Sequence, residues 1–477
     1  MCTVKTSVST WLFLSVVVVI LGLFTGAPTG ALAQACTLTN CKGWNGVYLG
    51  SGSTNTAPAF AFVDAVSYLN DSRCASGACS ICDAIALAFT DYKGIPKGMV
   101  VDARGVNTTV GGANALNCTS GTGRYPNPWI VLSTQYGNTV LLPTGTIYLY
   151  SSWVLTYATH LIGEGAGLTT IAPCTNSICG SGQAFSTTDM IDMGSTSVCP
   201  LIGSLYDCQA VVIQHLGLNG GNLSSVNGIV NSASEELSSV DDVWLTNMGS
   251  GGFGLSITKS GTNSGPYSKI YYQGSGTCAR IGASANSPTD TRGIHGLTCI
   301  MSGSSSAAIL LDAANNTLED IYISGSSTTS QDGILVGAIA PASSDVLFNI
   351  SGNNLGNVVH ISNNSTSGVQ NASDVTVMGV TNSLGTNSIR DDLTSPSTQI
   401  SDAHVGMYII GEPVQGSGST VIYSRFTTSL SVPAWLTGSS SPSGNCAIGS
   451  LYSETSGTDT LWGCKGSSGV GVWHDFN

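Results

Sequence analysis

Charged residues make up only 9% of this chain, so a local gathering of acids stands out. Glu235-Glu236 and Asp241-Asp242 form such a gathering. Paired carboxylates can act as acid and base, or acid and nucleophile, at a glycosidic bond. Asp241 and Asp242, with Lys269 and His295 downstream, are therefore the candidate catalytic residues. A lyase would instead need acids that hold calcium and an Arg or Lys base, and Lys269 and Arg292 are placed for that role by position alone. Calcium enters only with that alternative; otherwise neither a cofactor nor a metal is expected. Glycine-rich stretches such as Gly249 to Gly254 lack the Lys-Ser/Thr that a phosphate loop requires.

The elements that must carry these residues are repeats. The tetrapeptides beginning at His215, Asp242, Lys269, Gly296, Asp320, Asp345, Asp374 and Asp402 recur every 24 to 29 residues. Their second and fourth places are apolar throughout, from Leu216 and Leu218 to Ala403 and Val405. That alternation is a strand with one buried face. A second ladder, Ile229, Leu255, Ile281, Ile309, Ile334, Val359 and Ile389, follows the first at an offset of 11 to 14 residues. Two apolar strands per repeat describe the coils of a parallel β-helix, in which each coil buries its core only by stacking on the next. Leucine-rich repeats need tighter Leu spacing, and a propeller blade needs four strands in about 40 to 50 residues. The expected inward column is Val243, Ile270, Leu297, Ile321, Val346 and Val375.

On this register the third places point outward. Trp244, Tyr271 and Tyr322 then form a row beside Asp242, Lys269 and Asp320. Aromatic faces suit the C–H faces of sugars, and neighbouring acids can hydrogen-bond hydroxyls. The substrate-binding candidates are therefore Trp244, Tyr271, Tyr322 and Asp320. The plainer alternative is aromatic stacking between coils beneath a loop. Asp345, Asp374 and Asp402 read as turn residues ahead of their strands.

The 477 residues carry 14 Lys and Arg against 27 Asp and Glu, a net charge of −13. A field of that sign repels nucleic acid and anionic membranes. It also disfavours a strongly anionic glycan unless a cation bridges the two. Gly, Ser, Thr and Asn fill the intervals between apolar positions, which suits short strands joined by small-residue turns.

Residues 1–33 have the pattern of a secretory signal: Lys5, an apolar run from Trp11 to Phe24, and Ala31-Leu32-Ala33 as a cleavage site. The run is shorter than the roughly 20 residues of a membrane-spanning helix. A lipid-anchored Cys36 is disfavoured by Ala33 at the place where Leu is usual. Of 15 Cys, Cys2 leaves with the signal, and the even remainder suits disulfides in an oxidising compartment. Close Cys pairs could also suggest zinc, but no histidines accompany them at ligand spacing. Connectivity stays open. The expected organisation is a disulfide-containing N-terminal cap over 34–133, a parallel β-helix over 134–411, a Ser/Thr/Gly-rich connector over 412–440 and a small C-terminal module over 441–477. In the cap, Cys82 to Phe89 reads as a short helix followed by a strand, Met99 to Asp102. In the last module, Cys446 and Cys464 are placed for a bridge.

Three runs carry a family resemblance: Gly98 to Gly105, Val140 to Tyr148, and His160 to Ile171 with its Gly-Glu-Gly-Ala-Gly centre. They resemble the start of pectate-lyase-superfamily proteins, over about residues 80–411. The resemblance implies an all-β chain built as a right-handed parallel β-helix. It does not single out an activity, because that superfamily includes hydrolases, lyases, epimerases and phage tailspikes. Its polygalacturonase-like branch carries Asp-Asp, Asn-Thr-Asp, His-Gly and Arg-Ile-Lys on successive coils. Here Asp241-Asp242 and His295-Gly296 match, with His295 two coils on rather than one, while the other two motifs are missing. The C-terminal module is similar to short terminal modules of bacterial surface and tail-fibre proteins. Two functions follow as expectations. The first is a secreted protein that binds, and in its stronger form cleaves, a neutral or weakly acidic polysaccharide. The second is a non-catalytic cell-surface or tailspike-like protein for structure or adhesion. A homo-oligomer is compatible with either.

Overall fold

The computed structural model describes residues 61–391, except 75–77, 93–97, 133–136, 203–204, 259–262, 283–290, 341, 363–371, 374 and 386, and beyond them strand segments within 406–475. The signal segment, Cys36, Asp402 and His404 lie outside the described residues, as does Asp374.

The chain folds as a parallel β-helix with three faces; the early coils carry a strand on each, and from Val212 to Leu311 each coil has the two strands expected from sequence, the first spanning two faces. Face one begins with Ala61–Asp64, Met99–Asp102, Asn138–Leu141 and Thr159–Ile162, paired in parallel in that order. Face two begins with Asn117–Cys118, Gly145–Leu149 and Thr169–Pro173. From Val212–Asn219 onward a single long strand serves both, pairing with Thr159–Ile162 through its first half and with Thr169–Pro173 through its second. Face three stacks Trp153–Val154, Asp189–Asp192, Asn227–Asn231, Phe253–Ile257, Thr277–Ile281 and Ala307–Leu311. Among the described residues the parallel sheet is already present at Ala61, within the residues assigned from sequence to the cap.

A repeated backbone corner separates faces one and two. His215, Asp242, Lys269, Gly296, Asp320, Asn349 and Gly379 all have φ between +51° and +66°. Asn, Asp and Gly tolerate this left-handed conformation best, which accounts for the polar or glycine residue ahead of each apolar strand. Inward columns run on both sides of the corner. On face one Ile213, Val240, Tyr267, Ile294, Leu318, Leu347 and Val377 stack in register. On face two the column is Leu216, Val243, Ile270 and Leu297, then Ile321, Ile350 and Val380. All fourteen side chains are buried.

The expected column therefore holds as far as Ile321 and then slips by several residues. Val346 pairs with Thr317 and Thr376 at the start of its strand, and Val375 precedes the strand Thr376–Asn382. Ile350 and Val380 occupy the places assigned to them. The cause is the corner: Asn349, not Asp345, takes the left-handed backbone in one coil, and Gly379 takes it in the next. Leu347, expected outward, is buried, and Phe348, expected inward, is 42% exposed. Asp345 is a buried turn residue whose Oδ1 accepts from the Asn316 backbone N–H and side-chain amide at 2.8 and 3.1 Å. In the second ladder Leu255 stacks on Ala279, which stacks on Ile309, while Ile281 lies between Ile257 and Leu311.

Helix α1, Ile81–Tyr92, lies ahead of these columns and buries a continuous run from Ile81 to Phe89. Ser80 and Asp83 cap its start: the Asp83 carboxylate accepts from the Ser80 N–H at 2.8 Å and from Arg124 at 2.7 Å. Phe89, Trp129 and Trp153 form a tilted aromatic stack with centroid separations of 5.9 and 5.4 Å. Disulfides join Cys74–Cys79, Cys82–Cys118, Cys174–Cys179, Cys199–Cys208 and Cys278–Cys299. At the far end Gly406–Ile410 still pairs in parallel with Thr376–Asn382, but Ser424–Phe426 returns against it antiparallel, covering an open edge. A five-stranded, mostly antiparallel sheet comprises Trp435–Gly438, Asn445–Cys446, Leu451–Glu454, Leu461–Lys465 and Gly471–Asp475. Cys464 within it is disulfide-bonded.

Candidate functional site

The left-handed corner decides which polar side chains face solvent. Simple alternation back from inward Val243 would place Asp242 outward and Asp241 inward. The corner inserts a turn at Asp242, so Val240 is buried and both Asp241 and Asp242 point out. The same step turns out Ser268, His295 and Glu319, which stack after Asp241 in one outward column of face one.

These side chains form local pairs rather than one constellation. His215 Nδ1 lies 2.8 Å from Asp242 Oδ2 on the next coil. Asp241 Oδ1 accepts from the Ser268 hydroxyl at 2.6 Å, and Lys269 Nζ stands 3.3 Å from the same carboxylate oxygen. His295 Nδ1 lies 3.1 Å from Glu319 Oε2. Asp320 accepts from Asn349 Nδ2 at 2.5 Å. Asp241, Asp242 and Lys269 are thus brought together. His295 is two coils from Asp241, about 10 Å at the usual strand spacing, and Ser268 stands between them. Partial burial pulls the Asp241 carboxyl upward, but the Ser268 and Lys269 hydrogen bonds outweigh it and hold its pKa below the usual range. An acid so held carries no proton to donate near neutrality. His215, Ser268 and Glu319 were not singled out from sequence as site residues; their signal is the corner, at which His215 itself sits and before which Ser268 and Glu319 are turned outward.

Face two presents the aromatic row. Trp244, Tyr271, Thr298 and Tyr322 are in register on four successive coils. Trp244 is 47% exposed and Tyr322 39%. The Trp244 and Tyr271 rings lie 5.8 Å apart, tilted by 52°. The loop through Gly167 borders Trp244: a Cβ on Gly167 would come 3.5 Å from the Trp244 ring. One coil earlier the row ends at Gly217, where a Cβ would meet the Ala166 carbonyl at 2.6 Å.

A pocket of about 640 Å³ opens elsewhere, where Arg124, Tyr125 and Ile130 meet Ser152, Thr187 and Asp192. Asp192, on face three, has its pKa pushed up to about 7, first by burial and then by the charge and hydrogen bond of Asp189. Asp189 Oδ1 accepts from Asn227 Nδ2 at 2.6 Å. A half-buried acid beside a second carboxylate in a cleft is a place where proton transfer is feasible. No sequence pattern flagged it, since Asp189-Met-Ile-Asp192 reads as an ordinary strand end.

No protein-family model matches the sequence, and no curated protein matches it. Among solved structures, the A-module of the Azotobacter vinelandii mannuronan C-5 epimerase AlgE4 is 15% identical, covers 59% of this chain and 90% of its own, and has a TM-score of 0.27. The A-module of the epimerase AlgE6 from the same organism is 14% identical, with coverages of 65% and 93% and a TM-score of 0.32. Tailspike protein 3 of bacteriophage CBA120 is 12% identical, with coverages of 87% and 69% and a TM-score of 0.25. Overlaps this partial assign no activity.

Proposed function

We propose that the protein binds a polysaccharide along face two, with Trp244 and Tyr271 as the platform and Tyr322 as an outlying contact. The observation that carries this reading is the outward Trp244–Tyr271 pair on consecutive coils, with Trp244 exposed and Tyr271 half-buried. Large aromatic side chains normally bury most of their surface, and here Trp244 stands exposed beside the outward, half-buried Tyr271. The coil spacing of about 4.8 Å matches the advance of an extended glycan. The corner residues Asp242, Lys269 and Asp320 supply hydrogen-bonding groups alongside. The net charge of −13 favours a neutral or weakly acidic chain over a polyanion. Five disulfides among the described residues suit a secreted or cell-surface protein, and no described helix is long and apolar enough to cross a membrane. Binding to a panel of neutral and uronic polysaccharides tests the proposal. Retention of one neutral glycan by the intact protein, lost in Trp244→Ala, supports it; indifference to the whole panel leaves a spacer or adhesion role.

A second reading, that the protein also cleaves its glycan, rests on Asp192 rather than on the Asp241-Asp242 pair. Asp192 keeps its proton near neutrality and lines a pocket, whereas Asp241 does not keep its proton. Release of reducing ends or unsaturated products by the intact protein, abolished by Asp192→Asn, is the outcome that supports cleavage. Turnover that survives Asp192→Asn removes Asp192 from the chemistry, and absence of turnover in the intact protein rules cleavage out.

A further inference from the structure

We propose that Asp207, Glu235 and Glu236 form a calcium site that clamps two consecutive coils together. One carboxylate oxygen from each lies within 4.8 Å of the others. The residues come from stacked turns between face three and face one. Their backbones are already locked: Glu235 N–H donates to the Cys208 carbonyl at 2.8 Å, Ala210 N–H donates to the Glu236 carbonyl at 2.9 Å, and Cys208 bridges Ser234 in parallel. The Cys199–Cys208 disulfide anchors the first of the two turns.

The second observation concerns Asp207 alone. It is 5% exposed, and its Oδ1 is buried without a hydrogen-bond partner. A buried, unsatisfied carboxylate oxygen costs free energy unless a shared proton or a cation satisfies it, and Asp207 and Glu235 lie close enough to share a proton when no cation is bound. The amide of Gln209 reaches Asp207 Oδ2 at 3.4 Å and Glu236 Oε2 at 3.2 Å. One neutral amide does not balance the carboxylates of Asp207 and Glu236 that it touches. A hard dication does, and the donor set is all oxygen, since Cys199 and Cys208 are committed to their disulfide. Calcium–oxygen bonds of about 2.3–2.6 Å put opposite ligands roughly 4.6–5.2 Å apart, which matches the span of this cluster, and the ion accepts irregular geometry with water filling the remaining positions. Glu235 and Glu236 are half-buried, so an ion can enter from the solvent side. The site is separate from the aromatic row on face two, so either can fail without the other.

The test uses the full-length protein stripped with EDTA. Calorimetric titration with calcium chloride should show one site, and calcium at about 1 mM, the weak end of extracellular sites, should raise the Tm. Glu235→Gln and Glu236→Gln should each weaken calcium affinity by roughly tenfold or more, because site charge sets affinity. Their Tm without calcium should be unchanged or higher, since each removes like-charge repulsion. Absence of heat with an unchanged Tm in the intact protein overturns the proposal, whatever the variants do. Undiminished calcium affinity in both variants overturns it as well, by placing the ion elsewhere.

Discussion

The Trp244 ring stands 5.8 Å from the Tyr271 ring on the next coil, both outside the solenoid and neither part of an inward column. Trp244→Ala should therefore weaken glycan binding by about 1 kcal/mol, a factor of roughly five, while the Tm stays near that of the intact protein. Paired isotherms and melting curves check this. A clear loss of Tm with an unchanged isotherm would show that the pair serves coil stacking.

Lys269 is the one lysine among the left-handed corner residues, with φ of +51°. A long side chain there costs on the order of 1 kcal/mol relative to Asn or Gly. Its ion pair to Asp241 is exposed on the lysine side and returns little. Lys269→Asn should raise the Tm, and Lys269→Val, β-branched at positive φ, should lower it. Thermal unfolding of the two variants side by side decides the sign.

The register beyond Ile321 can be tested by truncation. Ile350 is fully buried in the face-two column, whereas Val346 is only half-buried. Ile350→Ala should cost about 2–5 kcal/mol, and Val346→Ala clearly less. Equal losses in denaturant unfolding would return the column to Val346.

Asp192 makes stability depend on pH. Its folded pKa of about 7 is raised, by burial and then by Asp189, above an unfolded value near 3.9. A carboxyl raised on folding contributes stability that is complete below the unfolded pKa and is lost as pH climbs through the folded one. Buried Asp345, also pushed to about 7 by burial, acts in the same direction. The Tm should fall between about pH 4 and pH 7, and Asp192→Asn should flatten part of that fall. An identical pH profile in the variant would show that Asp192 titrates normally.

The repeat was legible because a coil cannot hide its period. Apolar residues at Leu216, Val243, Ile270, Leu297 and Ile321 must return to one column, and the outward placement of Trp244, Tyr271 and Tyr322 follows from them by strand alternation. The helix around Cys82 to Phe89 and the strand Met99–Asp102 were legible for the same local reasons. What alternation could not convey is the left-handed corner. One residue at positive φ reverses the phase upstream of it, so Asp241, Ser268, His295 and Glu319 face solvent where a continuous strand would bury them. Asp345 and Asn349 compete for that corner within four residues, and only packing against Asp320 and Gly379 selects Asn349. The meeting of Asp207 with Glu235 and Glu236, the Asp189–Asp192 contact and the five disulfide pairings are likewise tertiary. Side-chain periodicity is a property of one strand and can be read along the chain. The distance between two turns, and the pKa of an acid between them, depend on how coils stack, and that exists only once the chain has closed on itself.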